Sequence, residues 1–172
     1  MSGRVTVILG GAASGKSAFA EQACVNTGKN RKYWATSQIL DQEMRAKVDR
    51  HILQRGAGWQ TIEEPFHASL VMPHVGHDDV LLMDCATMWL TNHLLADHDL
   101  AQETEALLEA LAACAGEVVV VSNETGLGIV PENALARRFR EAQGRLNIAL
   151  AAQADRVILV AAGLPLVLKG AL

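Results

Sequence analysis

The sequence contains few cysteines, and their spacing does not suggest pairs. Cys24, Cys85 and Cys114 are the three cysteines of the 172-residue chain, and there is no C-x-x-C pair. An odd set with this spacing argues against a disulfide framework and against a cysteine-rich metal site. We therefore expect small buried thiols in a protein of a reducing compartment.

Long hydrophobic runs and an excess of positive charge are also missing. The apolar run at residues 5–9 is too short to span a bilayer, and it has neither the basic start nor the cleavage site of a signal peptide. The formal net charge of −4 disfavours a nucleic-acid-binding face. These features predict a cytoplasmic protein without a membrane span and without nucleic acid as a partner.

Hydrophobic residues make up half of the chain and form short runs that alternate between strand-like and helical patterns. Strands are predicted at residues 5–9, 32–35, 59–62, 80–84, 118–121, 157–160 and 166–168. Helices are predicted at residues 17–24, 41–55, 66–72, 100–115 and 133–154. This alternation predicts one α/β domain over residues 1–172, with a mostly parallel sheet covered by helices on both faces. The loops after Leu9, Ala35, Asp84 and Ser122 then share the carboxyl edge of the sheet, where ligands bind.

A phosphate-binding loop directly follows the first predicted strand. Gly10, Gly15, Lys16 and Ser17 satisfy the pattern G-x-x-x-x-G-K-S between a strand and a helix. In such a loop the backbone N–H groups and the helix N-terminus bind phosphate, the lysine reaches the β- and γ-oxygens, and the serine binds Mg²⁺. The pattern predicts a nucleotide-dependent phosphotransferase. The predicted nucleotide-binding residues of the loop are Gly10, Gly11, Ala12, Ala13, Ser14, Gly15, Lys16 and Ser17.

Asp84 ends the strand predicted at residues 80–84. An acid in this place in P-loop proteins orients Mg²⁺ or its water, so Asp84 and Ser17 are the predicted Mg²⁺ ligands. The alternative is that Asp84 caps a helix that begins near Ala86.

His51 lies on the helix predicted at residues 41–55. It follows Val48 by three residues and Met44 by seven, so it borders the apolar stripe of that helix, and basic residues surround it. An imidazole in this setting could attack a phosphorus atom whose charge those cations screen. From spacing alone, a solvated histidine at the helix edge is the more common explanation. The other histidines show no ligand spacing and are predicted to be surface or packing residues: His67, His74, His77, His93 and His98.

Residues 122–131, with the sequence Ser-Asn-Glu-Thr-Gly-Leu-Gly-Ile-Val-Pro, follow the strand predicted at 118–121. An amide, a carboxylate and two glycines at a strand end favour a loop that approaches a ligand closely, and a simple glycine-rich turn is the alternative. Arg137, Arg138 and Arg140 on the next helix could reach phosphate, although a solvated basic face is the more common pattern.

Together these segments resemble the bifunctional adenosylcobinamide kinase / adenosylcobinamide-phosphate guanylyltransferase family of cobalamin biosynthesis. The resemblance runs in order along nearly the whole chain. It rests on the 10–17 loop, residues 35–38, residues 41–51, Arg55, residues 59–63, Asp84 with Cys85, residues 89–92, 121–124 and 126–131, Gly144 with Asn147, and residues 162–166.

The resemblance implies a RecA-like P-loop fold and two linked reactions. ATP or GTP phosphorylates the aminopropanol hydroxyl of adenosylcobinamide, and GMP then passes from GTP to that phosphate through a covalent histidine adduct, giving adenosylcobinamide-GDP. His51 occupies the matching position and, with Lys16, is a predicted catalytic residue. Further nucleotide contacts are implied at Thr36, Ser37, Gln38, Ile52, Leu53, Gln54, Arg55, Glu63 and Asp84. The implied ligands are nucleotide, Mg²⁺ and a corrinoid, and the implied assembly is a homotrimer.

Ala13 departs from the family pattern, which commonly has arginine at this position of the loop. The smaller side chain removes one possible phosphate or substrate contact. Two other functions stay open on the sequence. One is a P-loop small-molecule kinase without guanylyl transfer, and the other is a non-catalytic module that switches with nucleotide.

Overall fold

The computed structural model describes residues 3–38 and 42–171, apart from the side chains of Glu43, Met44, Lys47 and Gln54. The predicted start of the second helix at Asp41 therefore lies outside the described residues. The same holds for the Met44 side chain of that helix's apolar stripe.

Seven strands form one sheet in the order β3-β2-β4-β5-β1-β6-β7. The strands are β1 (Val5–Gly10), β2 (Asn30–Ala35), β3 (Trp59–Glu63), β4 (Asp79–Asp84), β5 (Glu117–Asn123), β6 (Arg156–Ala161) and β7 (Leu164–Lys169). All neighbours pair in parallel except β6 and β7. Only Ala162 and Gly163 separate that last pair, and both have positive φ, as the tight turn of a hairpin requires. The predicted mostly parallel sheet is confirmed.

Six α-helices accompany the sheet in the described residues. They are α1 (Lys16–Asn26), α2 (Gln42–Arg55), α3 (Ala68–Val71), α4 (Ala86–Leu95), α5 (Leu100–Ala113) and α6 (Ala134–Gln153). The helix predicted at 66–72 is a single turn that continues as a 3₁₀ turn over Met72–His74, because Pro73 has no backbone N–H to donate within an α-helix. None of these helices is both long and apolar enough to cross a membrane.

Apolar side chains are buried on both faces of the sheet. In β1, Val5, Val7 and Leu9 join one core, whereas Ile8 joins the other. Helices α4, α5 and α6 cover the first core, and α1 covers the second with Ala20 and Cys24. A sheet buried on both sides needs strands that are apolar throughout, which explains the continuous hydrophobic runs in the sequence.

The register of the parallel strands aligns their carboxyl ends. Gly10 pairs with Asn123, Ala35 with Asp84, and Asp84 with Val121. The predicted common edge for the loops after β1, β2, β4 and β5 is therefore confirmed. The N-terminus of α1 lies at the same edge, directly after the glycine loop.

Candidate active site

The glycine loop between β1 and α1 has a tightly determined backbone. A Cβ atom at Gly10 would lie 2.3 Å from Ser14 Oγ and 2.7 Å from the carbonyl oxygen of Val160, so only glycine fits there. Gly15 has a φ of 92° and stands immediately before α1. The Lys16 ammonium donates a hydrogen bond to the Gly11 carbonyl at 3.0 Å, which tethers the cation to the loop that it is predicted to serve.

A cavity of about 510 Å³, which we call the phosphate cavity, opens beside this loop. Residues Ala13 to Ser17 of the loop line one side of it. The other lining residues are Ala18 of α1, His51 of α2, Asp84 and Cys85 at the junction of β4 and α4, and Val121 and Asn123 of β5. The structure thus brings Lys16, Ser17, His51 and Asp84 together around one space, although they come from distant parts of the sequence.

A second cavity of about 690 Å³, the large cavity, adjoins the first and is of the size that holds a small-molecule ligand. Both cavities are lined by His51, Asp84 and Cys85. His51 is solvent-exposed on α2 and lies where the two cavities meet. The remaining residues of the large cavity are Tyr33, Ala35, Ser37, Gln38, Val48, Ile52, Arg55, Glu63, Glu64, Pro65 and Met88.

Asp84 is oriented by a neighbouring phenol. The Tyr33 hydroxyl donates to Asp84 Oδ2 at 2.9 Å, and burial together with this carboxylate raises the pKa of Tyr33, so that the hydroxyl remains a donor. Among the described residues, Oδ1 of Asp84 accepts no hydrogen bond. The Asp84 carboxylate and the Ser17 hydroxyl line the same cavity. Both are hard oxygen ligands of the kind that Mg²⁺ prefers, so these residues fit the ion.

Helix α4 is capped by Cys85. The alternative prediction, that Asp84 caps this helix, is therefore wrong. Cys85 is the N-cap residue of α4, and its Sγ accepts the Met88 N–H at 3.4 Å. Burial and the adjacent Asp84 raise the pKa of Cys85 to about 12. Because the thiolate is the nucleophilic form, this thiol is unsuited to attack phosphorus at neutral pH. The nucleophilic role of His51 stays a prediction.

Thr36 joins the ends of β2 and β4. Its buried hydroxyl donates to the Cys85 carbonyl at 2.8 Å and accepts the Cys85 N–H at 2.9 Å, while Asn92 donates to the Thr36 carbonyl at 2.7 Å. The side chain lines neither cavity, in contrast to those of Ser37 and Gln38. A contact between Thr36 and nucleotide stays a prediction. The observed hydrogen bonds of Thr36 fix the end of β2 relative to the end of β4.

The implied contacts on α2 lie in different places. Ile52 and Arg55 line the large cavity. Leu53 is 81% exposed and lines neither cavity, and the Gln54 side chain lies outside the described residues. Glu63, at the end of β3, lines the large cavity.

Arg55 is a cation whose guanidinium has buried, unused donors. Its guanidinium carbon lies 3.4 Å from the centroid of the Tyr33 ring and 5.7 Å from that of Trp59. Nε and Nη1 are buried and have no hydrogen-bond partner among the residues that the structure describes. Buried donors without partners on a charged group at a cavity wall indicate an anionic or strongly accepting ligand.

A buried polar network behind β5 positions Asn123. Ser122 Oγ donates to Asn147 Oδ1 at 2.6 Å, and Gln143 donates to both of these atoms. Asn147 Nδ2 in turn donates to the Asn123 carbonyl at 3.0 Å. Our sequence interpretation missed Gln143, although its four-residue spacing from Asn147 on a helix is a signal that both face the same strand.

The arginines that follow the 122–131 loop hold its backbone. Arg140 donates to the carbonyl oxygens of Gly126 and Gly128 at 2.5 and 2.9 Å, and Arg137 donates to that of Pro131 at 2.9 Å. Arg140 is half-buried, so the expected solvated basic face is wrong for that side chain. Both arginines shape the loop.

Comparison with known proteins agrees with this geometry. Residues 6–168 match a family described as cobinamide kinase / cobinamide phosphate guanyltransferase. The bifunctional adenosylcobalamin biosynthesis protein CobP of Pseudomonas aeruginosa is 45% identical over 167 residues, covering 95% of this chain and 96% of that protein. The protein CobU of the same description from Salmonella typhimurium is 40% identical over 179 residues, covering 95% and 98%.

Solved structures of distant proteins share the fold. The crystal structure of the flagellar accessory protein FlaH from Methanocaldococcus jannaschii has a TM-score of 0.51 at 13% identity, over 98% of this chain and 79% of that one. A protein of Pyrococcus horikoshii has a TM-score of 0.61 at 8% identity, over 98% and 87%. At this level of identity the likeness concerns the α/β fold alone.

Replacing Arg55 by methionine separates ligand binding from stability. Arg55→Met removes Nε and Nη1, the two buried donors without a partner among the described residues. We therefore expect GTP to bind about 10- to 100-fold more weakly, as the loss of charged hydrogen bonds implies. The melting temperature should change little, because the loss of the cation–π contact with Tyr33 opposes the gain from removing a partly buried charge. Isothermal titration calorimetry and thermal unfolding measure the two effects. Arg145→Met, which changes an exposed cation on α6 that lines neither cavity, is the control, and unchanged GTP affinity in Arg55→Met would contradict a nucleotide role.

Proposed function

The chain belongs to the cobinamide kinase / cobinamide phosphate guanyltransferase family, and we propose that it phosphorylates adenosylcobinamide with ATP or GTP and then converts the product to adenosylcobinamide-GDP with GTP. The observation that carries this proposal is the position of His51. The histidine lines the cavity of the phosphate-binding loop and also the larger cavity beside it. A kinase that transfers only a terminal phosphoryl group needs no nucleophilic side chain at that junction.

In the kinase step, the substrate hydroxyl oxygen attacks the γ-phosphorus of the nucleotide. A new P–O bond forms, the bond between the γ-phosphorus and its bridging oxygen breaks, and the nucleoside diphosphate leaves, while the hydroxyl proton passes to solvent. The 10–17 loop binds the β- and γ-phosphates, and Lys16 neutralises charge that develops on them. Mg²⁺ bound by Ser17 and Asp84 would supply further charge neutralisation.

In the guanylyl step, one ring nitrogen of His51 attacks the α-phosphorus of GTP. A P–N bond forms, the bond from the α-phosphorus to the bridging oxygen breaks, and pyrophosphate leaves, held by the same loop. An oxygen of the corrinoid phosphate then attacks the same phosphorus, the P–N bond breaks, and the free imidazole is restored. Covalent catalysis of this kind replaces one difficult displacement by two easier ones.

The large cavity is the proposed site of the nucleoside and of the incoming corrinoid phosphate. Arg55 supplies buried cationic donors there, and Glu63 supplies a carboxylate acceptor. Ser37 and Gln38 add polar groups at the end of β2. Because His51 lies where this space meets the phosphate cavity, its ring can approach the α-phosphorus from the side opposite the leaving pyrophosphate. In the second step the corrinoid phosphate must enter opposite the P–N bond, on the side that pyrophosphate has left.

We further propose a single-domain cytoplasmic enzyme that assembles as a homotrimer. Exposed apolar side chains support the proposed assembly. They lie in the 122–131 loop and along the edge strand β7. Leu127 and Ile129 in the 122–131 loop are 89% and 96% exposed, and three leucines of β7 are also exposed. Exposed apolar surface of this kind marks interaction sites.

The guanylylated intermediate distinguishes this function from that of a simple kinase. Incubation with GTP labelled at the α-phosphorus, without corrinoid, should give a labelled protein whose label is released by acid, as a P–N bond requires. His51→Ala should carry no label, and His77→Ala, which changes an exposed histidine at the opposite edge of the sheet, should label like the wild type. A wild-type protein without label would support the kinase alone. Failure to turn over adenosylcobinamide at all would support the nucleotide-switch module.

The two reactions should share Lys16. We expect Lys16→Ala to slow both phosphorylation and guanylylation by about 100-fold or more. In both steps negative charge on the β- and γ-phosphates must be stabilised. Lys29→Ala, which removes a cation paired with Glu117 away from the site, is the control. Steady-state rates for each step, measured separately, test this. Kinase turnover near that of the wild type in Lys16→Ala would refute a shared phosphate site.

A further inference from the structure

The connection between α4 and α5 brings two histidines face to face. Helix α4 ends with two characteristic hydrogen bonds: Asp97 N–H donates to the Leu94 carbonyl at 3.2 Å, and His98 N–H donates to the His93 carbonyl at 3.0 Å. Asp97 takes the left-handed conformation that this ending requires, with φ 56°. Together these features form a Schellman motif. The two positions that His93 and His98 take in this motif are usually apolar and in contact.

A carboxylate completes the cluster. His93 Nδ1 and His98 Nδ1 are 2.9 Å apart. The Glu103 carboxylate lies 3.8 Å from the first and 4.0 Å from the second. Asp99 caps α5 by accepting the N–H groups of Ala101 and Gln102, and this cap places Glu103 in the first turn, above the two histidines.

The buried ring of His93 is held in the orientation of a metal ligand. The ring is fully buried, and its Nε2 lies 3.1 Å from the Phe66 carbonyl oxygen. A carbonyl oxygen can only accept, so Nε2 carries the hydrogen, and in the neutral ring Nδ1 keeps its lone pair toward His98 and Glu103. Metal-binding histidines typically donate their other N–H to a carbonyl in this way. The same carbonyl also accepts the Trp89 indole N–H at 2.7 Å.

We propose that His93, His98 and Glu103 bind a divalent cation of the zinc class, with water as the fourth ligand. One ligand atom from each residue lies within 4.8 Å of the other two. Two imidazole nitrogens and one carboxylate are a ligand set that zinc accepts and that Mg²⁺ disfavours. The side chains of His98 and Glu103 are 38% and 27% exposed, which leaves a path for the ion from solvent. The sequence interpretation treated the two histidines as unrelated packing or surface residues, and their spacing did not predict this contact.

Such an ion links the end of α4 to the beginning of α5. Helix α4 carries Asn92, which supports the Thr36 carbonyl at the rim of the active site. The bound cation therefore stabilises the helix behind the nucleotide site. It takes no part in the transfer reactions, because the cluster does not line either cavity of that site.

Zinc binding by the nucleotide-free protein tests the proposal. After dialysis against a chelator, wild-type protein titrated with Zn²⁺ in competition with a chromophoric chelator should bind one equivalent at this cluster. With zinc at about 100 times its Kd, the melting temperature should rise by about 5–10 °C. His98→Ala and Glu103→Gln, which change the more exposed ligands, should each weaken binding by about 100-fold or more and lose the thermal shift.

Three control variants locate the ion. His77→Ala should bind like the wild type, and so should Asp84→Asn, which changes the predicted Mg²⁺ site. Asp97→Gly should also bind normally, because glycine readily adopts the positive φ of this position. Wild-type protein that takes up no zinc, or His98→Ala that binds it as tightly as the wild type, would overturn the proposal and leave the histidines as a hydrogen-bonded pair only.

Discussion

Six strands run parallel in register, and their shared carboxyl edge is the constraint on which the active site depends. The glycine loop leaves this edge after β1, Asp84 ends β4 there, and Asn123 ends β5 there. No two of these groups are close in sequence. Because adjacent parallel strands end side by side, a phosphate-binding loop, a carboxylate and an amide meet around one cavity, and α2 adds His51 from above the edge.

Buried hydrogen bonds behind the edge hold the strand ends in place. Thr36 ties β2 to the backbone of Cys85, and Asn147 ties α6 to the end of β5. Moving one strand end would leave these buried donors and acceptors unsatisfied, at a cost of about 1–3 kcal/mol each. His51, in contrast, is exposed on α2 and belongs to neither hydrophobic core.

The sequence predicts the parts of the site that depend on local pattern. The glycine loop, the strand runs and the acid at the end of β4 all follow from residues that are neighbours in the chain, and the structure confirms their common edge. Contacts between distant segments are not predictable in this way. Thr36 meets Cys85 across 49 residues, and Arg140 reaches back to Gly126 because α6 folds over the loop. The contact between His93 and His98 was not predicted, because the turn between them is made by Asp97 and not by the glycine that usually marks such a turn.

In the proposed mechanism one loop anchors the triphosphate while His51 attacks its α-phosphorus. A crystal structure with Mg²⁺ and a GTP analogue that has a methylene group between the α- and β-phosphorus atoms tests this directly. We expect the β- and γ-phosphates on the 10–17 loop near Lys16, with a ring nitrogen of His51 about 3–3.5 Å from the α-phosphorus. A bound analogue whose α-phosphorus no His51 ring approaches, from the same or a neighbouring subunit, would contradict it.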